Sequence, residues 1–117
     1  MPKTFQDLVA DAKTRVKETD VATLKQWLAE GKKMLLLDVR EESEYAAGFI
    51  GNAVSVPRGV VELKVPQTPN LNPDDFIVCY CGGGNRSALV ADVLQEMGYS
   101  NIVSLAGGWR AWVTANN

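Results

Sequence analysis

The residues best suited to chemistry lie in the stretch Phe76–Val90, FIVCYCGGGNRSALV. An apolar run ends at Cys81, three glycines follow, and Arg86 stands where a helical pattern begins. The thiolate is the nucleophilic form of cysteine, and its pKa falls beside a helix N-terminus and beside cationic groups. The pattern therefore predicts an ionised, nucleophilic Cys81.

The three glycines indicate that the backbone itself contacts a ligand. Glycine loses the most conformational freedom on folding, so a run of three is costly unless the local structure requires it. Without side chains, successive amides can curl around an anion, and the free N–H groups of the next helix point the same way. Arg86 adds a permanent charge, although it could also bind loop carbonyls. We therefore expect five consecutive residues to bind the group on Cys81: Gly82, Gly83, Gly84, Asn85 and Arg86.

Composition excludes several other functions. The chain has 117 residues, 46% hydrophobic and 22% charged, which suits one globular domain. Its net charge of -2 argues against nucleic acid or an anionic membrane as the main partner. The absence of histidine excludes Cys-His and Ser-His-Asp catalysis. Two cysteines alone offer no zinc site, so we expect neither a metal nor a cofactor.

The N-terminal segment carries charges and lacks the apolar block of a secretory signal, and no apolar run is long enough to span a membrane. We therefore expect a cytoplasmic protein, in which thiols remain reduced. Cys79 lies two residues before Cys81 in the same apolar run. It is either a core residue or a resolving thiol that protects Cys81 from overoxidation.

The order of helical and strand-like patterns predicts an α/β fold. Thr4 and Asp7 resemble a capping box that begins an amphipathic helix, and Asp20 can cap a second helix. The expected inward face of the first helix comprises Phe5, Leu8, Val9, Ala12 and Val16. Four segments read as strands: MLLLDV, AVSV, FIVCY and NIVSL. This alternation predicts a mostly parallel central sheet with helices on both faces, and residues 65–75 read as a surface loop.

Polar residues stand where the predicted strands end, and parallel strands bind ligands beyond their carboxyl ends. Asp38 and Arg40 follow one strand, Arg58 follows the next, and Cys81 follows the third. Asp38 and Arg40 could support the site by holding loops together, or could touch substrate. Arg58 could attract an anionic donor, or could lie on the surface. We expect one thiol, several arginines and a glycine loop at one edge of the sheet.

Three segments resemble the rhodanese family of sulfurtransferases: LLLDVREESEYAAGFIGNAVSVP, VCYCGGGNRSALVADVLQEMGY and NIVSLAGGWRAW. The resemblance covers residues 18–114 and implies a single rhodanese-like domain, 1–117, with residues 1–17 as an extra N-terminal helix. It implies that Cys81 takes a sulfane sulfur from a donor such as thiosulfate and holds it as a persulfide. The sulfur then passes to cyanide, a thiol or a protein acceptor. Thiol exchange of this kind needs no general base when the thiol is already ionised.

Two alternatives remain at this level. The chain could be a sulfur carrier or persulfide-sensing module that acts through a protein partner. It could also be an oxyanion hydrolase or reductase, although phosphatases and arsenate reductases of the same fold carry a loop one residue longer between cysteine and arginine. At GFIGNA the chain departs from the family pattern, because Phe49 replaces the usual histidine and Asn52 a common glycine. We expect local repacking there.

Overall fold

The computed structural model describes residues 1–116, and in them a sheet of five parallel strands forms the centre. The strands are β1 (Lys17–Thr19), β2 (Leu35–Asp38), β3 (Val54–Ser55), β4 (Ile77–Tyr80) and β5 (Ile102–Leu105). They lie side by side in the order β1-β5-β4-β2-β3, and every neighbouring pair is parallel. The predicted parallel α/β architecture is confirmed.

Over the same residues, six α-helices pack around the sheet. They are α1 (Phe5–Lys13), α2 (Val21–Ala29), α3 (Glu42–Ala47), α4 (Val61–Lys64), α5 (Asn85–Glu96) and α6 (Gly108–Ala115). Two short 3-10 helices, Arg58–Val60 and Val65–Gln67, flank α4. None of the helices in this part of the chain has the length and apolar character needed to cross a bilayer.

The N-terminal caps that the sequence predicts are present. The Asp7 amide donates to the Thr4 hydroxyl at 3.1 Å, and the Thr4 amide donates to the Asp7 carboxylate at 3.0 Å. The Asp20 carboxylate accepts a hydrogen bond from the Thr23 amide at 2.8 Å. These bonds satisfy amide groups that the first turn of a helix leaves without partners, so α1 and α2 begin where the sequence places them.

The side chains of β4 alternate between the two faces of the sheet, as the pleat requires. Ile77 and Cys79 belong to a core cluster with apolar residues of α4 and α5, and α1 packs on α5. Val78 and Tyr80 belong to a second cluster with apolar residues of α2, α3 and α6. The strand is buried on both faces, which explains why its sequence is a continuous apolar run.

Two segments differ from the sequence interpretation. β1 is a polar strand of three residues at the sheet edge, and its pairing with β5 gives it strand geometry that its own composition does not indicate. The segment 65–75, predicted as a surface loop, begins instead with a 3-10 helix in which Val65 is fully buried. Val65 has no apolar neighbours at helical spacing within the segment, so the sequence pattern indicates neither the helix nor the buried position.

The N-terminal helix is shorter than the segment assigned to it. α1 ends at Lys13, and Lys17 already belongs to β1. Val9 and Ala12 are buried, but Phe5 and Leu8, expected on the inward face, are 48% and 47% exposed. The helix therefore buries a narrower face than its apolar spacing suggests.

Candidate active site

Cys81 lies directly after β4, where the chain turns into α5. The turn ends at Gly84, whose φ of 97° is in the left-handed region. A Cβ at Gly84 would lie 3.1 Å from the amide nitrogen of Gly107. Only glycine combines this backbone conformation with so close an approach of the neighbouring chain.

The amides of this turn point at the sulfur atom. The Gly84 amide donates to the Sγ atom of Cys81 at 3.1 Å, and the Ser87 amide donates to the same atom at 3.4 Å. The hydroxyl oxygen of Ser87 lies 3.6 Å from Sγ. Ser87 stands one position beyond the five residues expected to surround the cysteine, because the first turn of α5 extends the ring of donors.

The pKa of the Cys81 thiol is below its ordinary value. Burial by itself raises that pKa, because the thiolate is poorly solvated. The Ser87 hydroxyl and the amides of Ser87, Gly83 and Gly84 outweigh burial by hydrogen bonding to the charged form. The local structure therefore favours the nucleophilic thiolate.

A pair of buried serines stands behind the sulfur. Ser87 on α5 and Ser104 on β5 are fully buried, and their hydroxyl oxygens are 2.7 Å apart. The sequence interpretation passed over both residues. The available signal was a serine within the otherwise apolar strand pattern NIVSL, since a hydroxyl in a buried strand needs a partner. The pair fixes the orientation of the Ser87 hydroxyl.

Replacing Ser87 by alanine should raise the pKa of Cys81, because a donor to the thiolate is lost. The lowered pKa keeps the thiolate populated at pH values below those at which a free cysteine ionises. In Ser87→Ala, the midpoint of the pH profile for alkylation of Cys81 by iodoacetamide should move upward. At high pH, where both proteins are ionised, the two rates should converge. An unchanged midpoint would show that Ser87 does not influence the thiolate.

Beside the cysteine lies an open cavity of about 300 Å³. Its lining residues are Phe5, Cys81, Gly82, Gly83, Asn85, Arg86 and Arg110. Cys81 is only 2% exposed, so its sulfur is reached from this cavity rather than from the open surface. Two arginines and no acidic side chain line the cavity within residues 1–116. The cavity is therefore cationic and suits a small anion.

Arg110 is a cavity residue that the sequence interpretation missed. Its amide donates to the Gly82 carbonyl at 3.1 Å, and its Nη1 atom would lie 2.8 Å from a Cβ at Gly83. Its position could have been inferred from the segment order. α6 begins just after β5, so its first turn lies at the same sheet edge as the cysteine loop.

Arg58, a candidate substrate-binding residue for which the sequence also allows a surface position, lies outside the cavity. It begins a 3-10 helix, and its guanidinium pairs with Glu62 at 3.7 Å across a partly exposed surface. Among residues 1–116 it is not one of those that line the cavity. The two arginines that line the cavity are Arg86 and Arg110.

Asp38 and Arg40 form a buried ion pair below the strand ends. Their side chains are 0% and 3% exposed, and the Nη2 and Oδ2 atoms are 2.6 Å apart. Arg40 also donates to the Gly48 carbonyl at 2.6 Å, and the Tyr80 hydroxyl donates to Asp38 at 2.7 Å. The Arg40 guanidinium lies 4.5 Å from the ring centre of Trp109. These contacts connect the end of β2 to the Gly48 carbonyl and to Tyr80 of β4.

Cys79 has the environment of a core residue. It is fully buried, and its thiol donates to the Ser87 carbonyl at 3.3 Å. Burial raises its pKa, and the neighbouring Cys81 adds to the increase. Both cysteines are free thiols.

At the site where the sequence departs from the family pattern, Phe49 stacks on the Tyr45 ring with centres 4.4 Å apart and planes 11° apart. Phe49 itself remains 45% exposed. The aromatic pair occupies the surface beside the Gly48 carbonyl that Arg40 holds.

The fold and the site together define a parallel α/β domain in which a cysteine in a strand-to-helix loop accepts hydrogen bonds from backbone amides. The chain belongs to the rhodanese-like domain family, which matches residues 20–115. A sulfurtransferase from Allochromatium vinosum is 34% identical over 97 residues, covering 83% of this chain and 88% of that protein. A putative sulfur carrier protein, YrkF from Bacillus subtilis, is 30% identical over 97 residues, which cover 83% of this chain and 51% of that protein. These relationships support a function in sulfur transfer.

Among solved structures, the protein RPA3614 from Rhodopseudomonas palustris superposes with a TM-score of 0.85 at 30% identity. The superposition covers 100% of this chain and 97% of that one. That protein is described as being of unknown function and a possible tyrosine phosphatase.

Proposed function

We propose that this protein is a sulfurtransferase in which Cys81 carries a sulfane sulfur as a persulfide. The observation that carries the proposal is the convergence of the Gly84 and Ser87 donors on the Cys81 sulfur at the floor of a cationic cavity. Cys81 would carry the sulfur, and Arg86 and Arg110 would attract the anionic donor. Residues 18–114 would form the catalytic core.

In the loading step, the Cys81 thiolate attacks the outer sulfur of a donor such as thiosulfate. A bond forms between the two sulfur atoms, the S–S bond of thiosulfate breaks, and sulfite leaves with the electron pair. Charge is conserved, since a thiolate and a dianion give a persulfide anion and a dianion. The new terminal sulfur would accept hydrogen bonds from loop amides near the positive end of α5.

In the transfer step, cyanide or a thiolate attacks the terminal sulfur, the bond to Sγ breaks, and the Cys81 thiolate is restored. Sulfur passes between nucleophiles with no net oxidation, so the cycle requires no cofactor. Transfer itself restores the Cys81 thiolate, and a reducing compartment such as the expected cytoplasm would protect that thiolate from oxidation.

The direct test is the mass of the intact protein after incubation with thiosulfate. We expect a gain of one sulfur atom per chain, its removal by cyanide, and stoichiometric thiocyanate. Protein whose Cys81 has first been blocked by iodoacetamide should gain nothing. If no sulfane donor, whether thiosulfate or polysulfide, adds sulfur to the unblocked protein, the proposal is wrong.

The sulfur-carrier alternative is favoured by the resemblance to the putative carrier YrkF. A carrier would load sulfur in the same way but discharge it slowly to cyanide and rapidly to a protein. The ratio of loading to thiocyanate turnover distinguishes the two functions. The phosphatase description of the Rhodopseudomonas protein predicts hydrolysis of p-nitrophenyl phosphate. We expect none, because no acidic side chain within residues 1–116 lines the cavity to protonate a leaving group.

A further inference from the structure

The N-terminal helix supplies one wall of the cavity. Phe5, the first residue of α1, lines it together with Cys81 and both arginines. The family match begins at residue 20, so this wall comes from outside the matched segment. The Phe5 side chain is 48% exposed, which leaves much of its ring free to contact a bound molecule.

The position of α1 is coupled to the helix that holds the cysteine. Val9 and Ala12 are buried, and α1 packs along α5. Just beyond α1, the Arg15 guanidinium donates two hydrogen bonds to Asp92 of α5, at 2.9 and 2.7 Å. The first turn of α5 donates to the Cys81 sulfur, so one helix positions both the sulfur and the aromatic wall.

The cavity therefore presents different chemistry on its different sides. Phe5 offers an aromatic surface, and Arg86 and Arg110 offer two guanidinium groups. Cyanide and thiosulfate are too small and polar to use an aromatic wall. An organic thiol with an anionic group and an apolar substituent could use both sides at once.

We propose that Phe5 is a specificity-determining residue that favours acceptor thiols carrying both a carboxylate and an apolar substituent. The inference rests on the proposed persulfide function. The acceptor thiolate attacks the terminal sulfur of the Cys81 persulfide, and a new S–S bond forms. The bond to Sγ breaks, and its electron pair stays on Cys81 as the thiolate. The acceptor leaves as an organic persulfide.

The experiment compares two acceptors that differ by one benzyl group, 3-mercaptopropionate and 2-benzyl-3-mercaptopropionate. Sulfur release from thiosulfate-loaded protein is followed by intact mass. Wild-type protein should transfer sulfur faster to the benzyl compound than to 3-mercaptopropionate. With the benzyl compound, Phe5→Ala should be about tenfold slower than wild type, as expected for a lost aromatic contact. The readout is the ratio of the rate with the benzyl compound to the rate with 3-mercaptopropionate, measured for each variant. The matched control is Leu8→Ala, since Leu8 is equally exposed on the same helix but, within residues 1–116, does not line the cavity.

A second measurement tests the wall without any persulfide. Iodoacetamide and N-benzyl-2-iodoacetamide alkylate the same Cys81 thiol, and we expect Phe5→Ala to reduce only the advantage of the benzyl reagent. Failure to load sulfur would contradict the proposed function, but the alkylation rates would still test the role of Phe5. The role of Phe5 would be overturned if the ratio of benzyl to plain rates were the same in wild type and in Phe5→Ala in both assays.

Discussion

Replacing Cys81 by serine is expected to abolish sulfur loading, whereas replacing Cys79 by alanine should leave it in place. Serine is not ionised near neutral pH and cannot form the persulfide, so the rate should fall on the order of a thousandfold or more. The Gly84 and Ser87 donors can also bond to a hydroxyl oxygen, so we expect Cys81→Ser to keep its fold. The measurements are the intact mass after thiosulfate treatment and thiocyanate formation with cyanide.

Cys79→Ala is the matched control, because it removes the other thiol, which lies in β4 two residues before Cys81. Cys79 is fully buried and its raised pKa keeps it protonated, so its loss should affect packing rather than chemistry. We expect a cost of about 1–2 kcal/mol in the free energy of unfolding, as for other small deletions in a core. Persulfide formation in Cys81→Ser, or loss of sulfur loading in Cys79→Ala, would show that Cys79 rather than Cys81 carries the sulfur.

Replacing Gly108 by alanine is expected to destabilise the protein severely. Gly108 begins α6 with a φ of 55°, and a Cβ there would collide with the Cys81 carbonyl group. The obstacle is backbone, which cannot rotate away as a side chain can. The following amide, of Trp109, donates to that same carbonyl at 2.8 Å, so α6 begins directly against the cysteine loop. We expect a loss of more than about 3 kcal/mol in the free energy of unfolding by urea.

Gly31→Ala separates the steric clash from backbone strain. Gly31 has a similar φ of 70°, but within residues 1–116 no heavy atom beyond its chain neighbours lies within 4 Å of the position a Cβ would take. Its replacement should cost only about 1–2 kcal/mol, the usual penalty for a left-handed alanine. Gly108→Ala should also lose sulfur loading in whatever fraction remains folded, because the loop must shift. Equal costs at the two glycines would mean that α6 does not press on the loop.

Local sequence patterns determined the overall architecture and singled out Cys81 as the candidate nucleophile. The apolar runs at β2, β4 and β5 and the caps at Thr4 and Asp20 lie within short windows, where propensity and hydrogen bonding act directly. Cys81 was recognisable because a strand end, a glycine run and a helix start are consecutive in the chain. The rule that parallel strands bind ligands at their carboxyl ends predicts a site at the same edge of the sheet, where the structure has a cavity beside Cys81.

Only the tertiary structure decided which other residues reach the site. Arg110 rather than Arg58 lines the cavity, because the direction of each side chain depends on how α6 and the segment after β3 pack. The Ser87–Ser104 pair joins two elements that are distant in sequence. Phe5 lines the cavity because α1 packs on α5, and Arg15, just beyond α1, bonds to Asp92 of α5, 77 positions along the chain. Such placements arise from contacts between remote segments, and a pattern read along one stretch of chain carries no information about them.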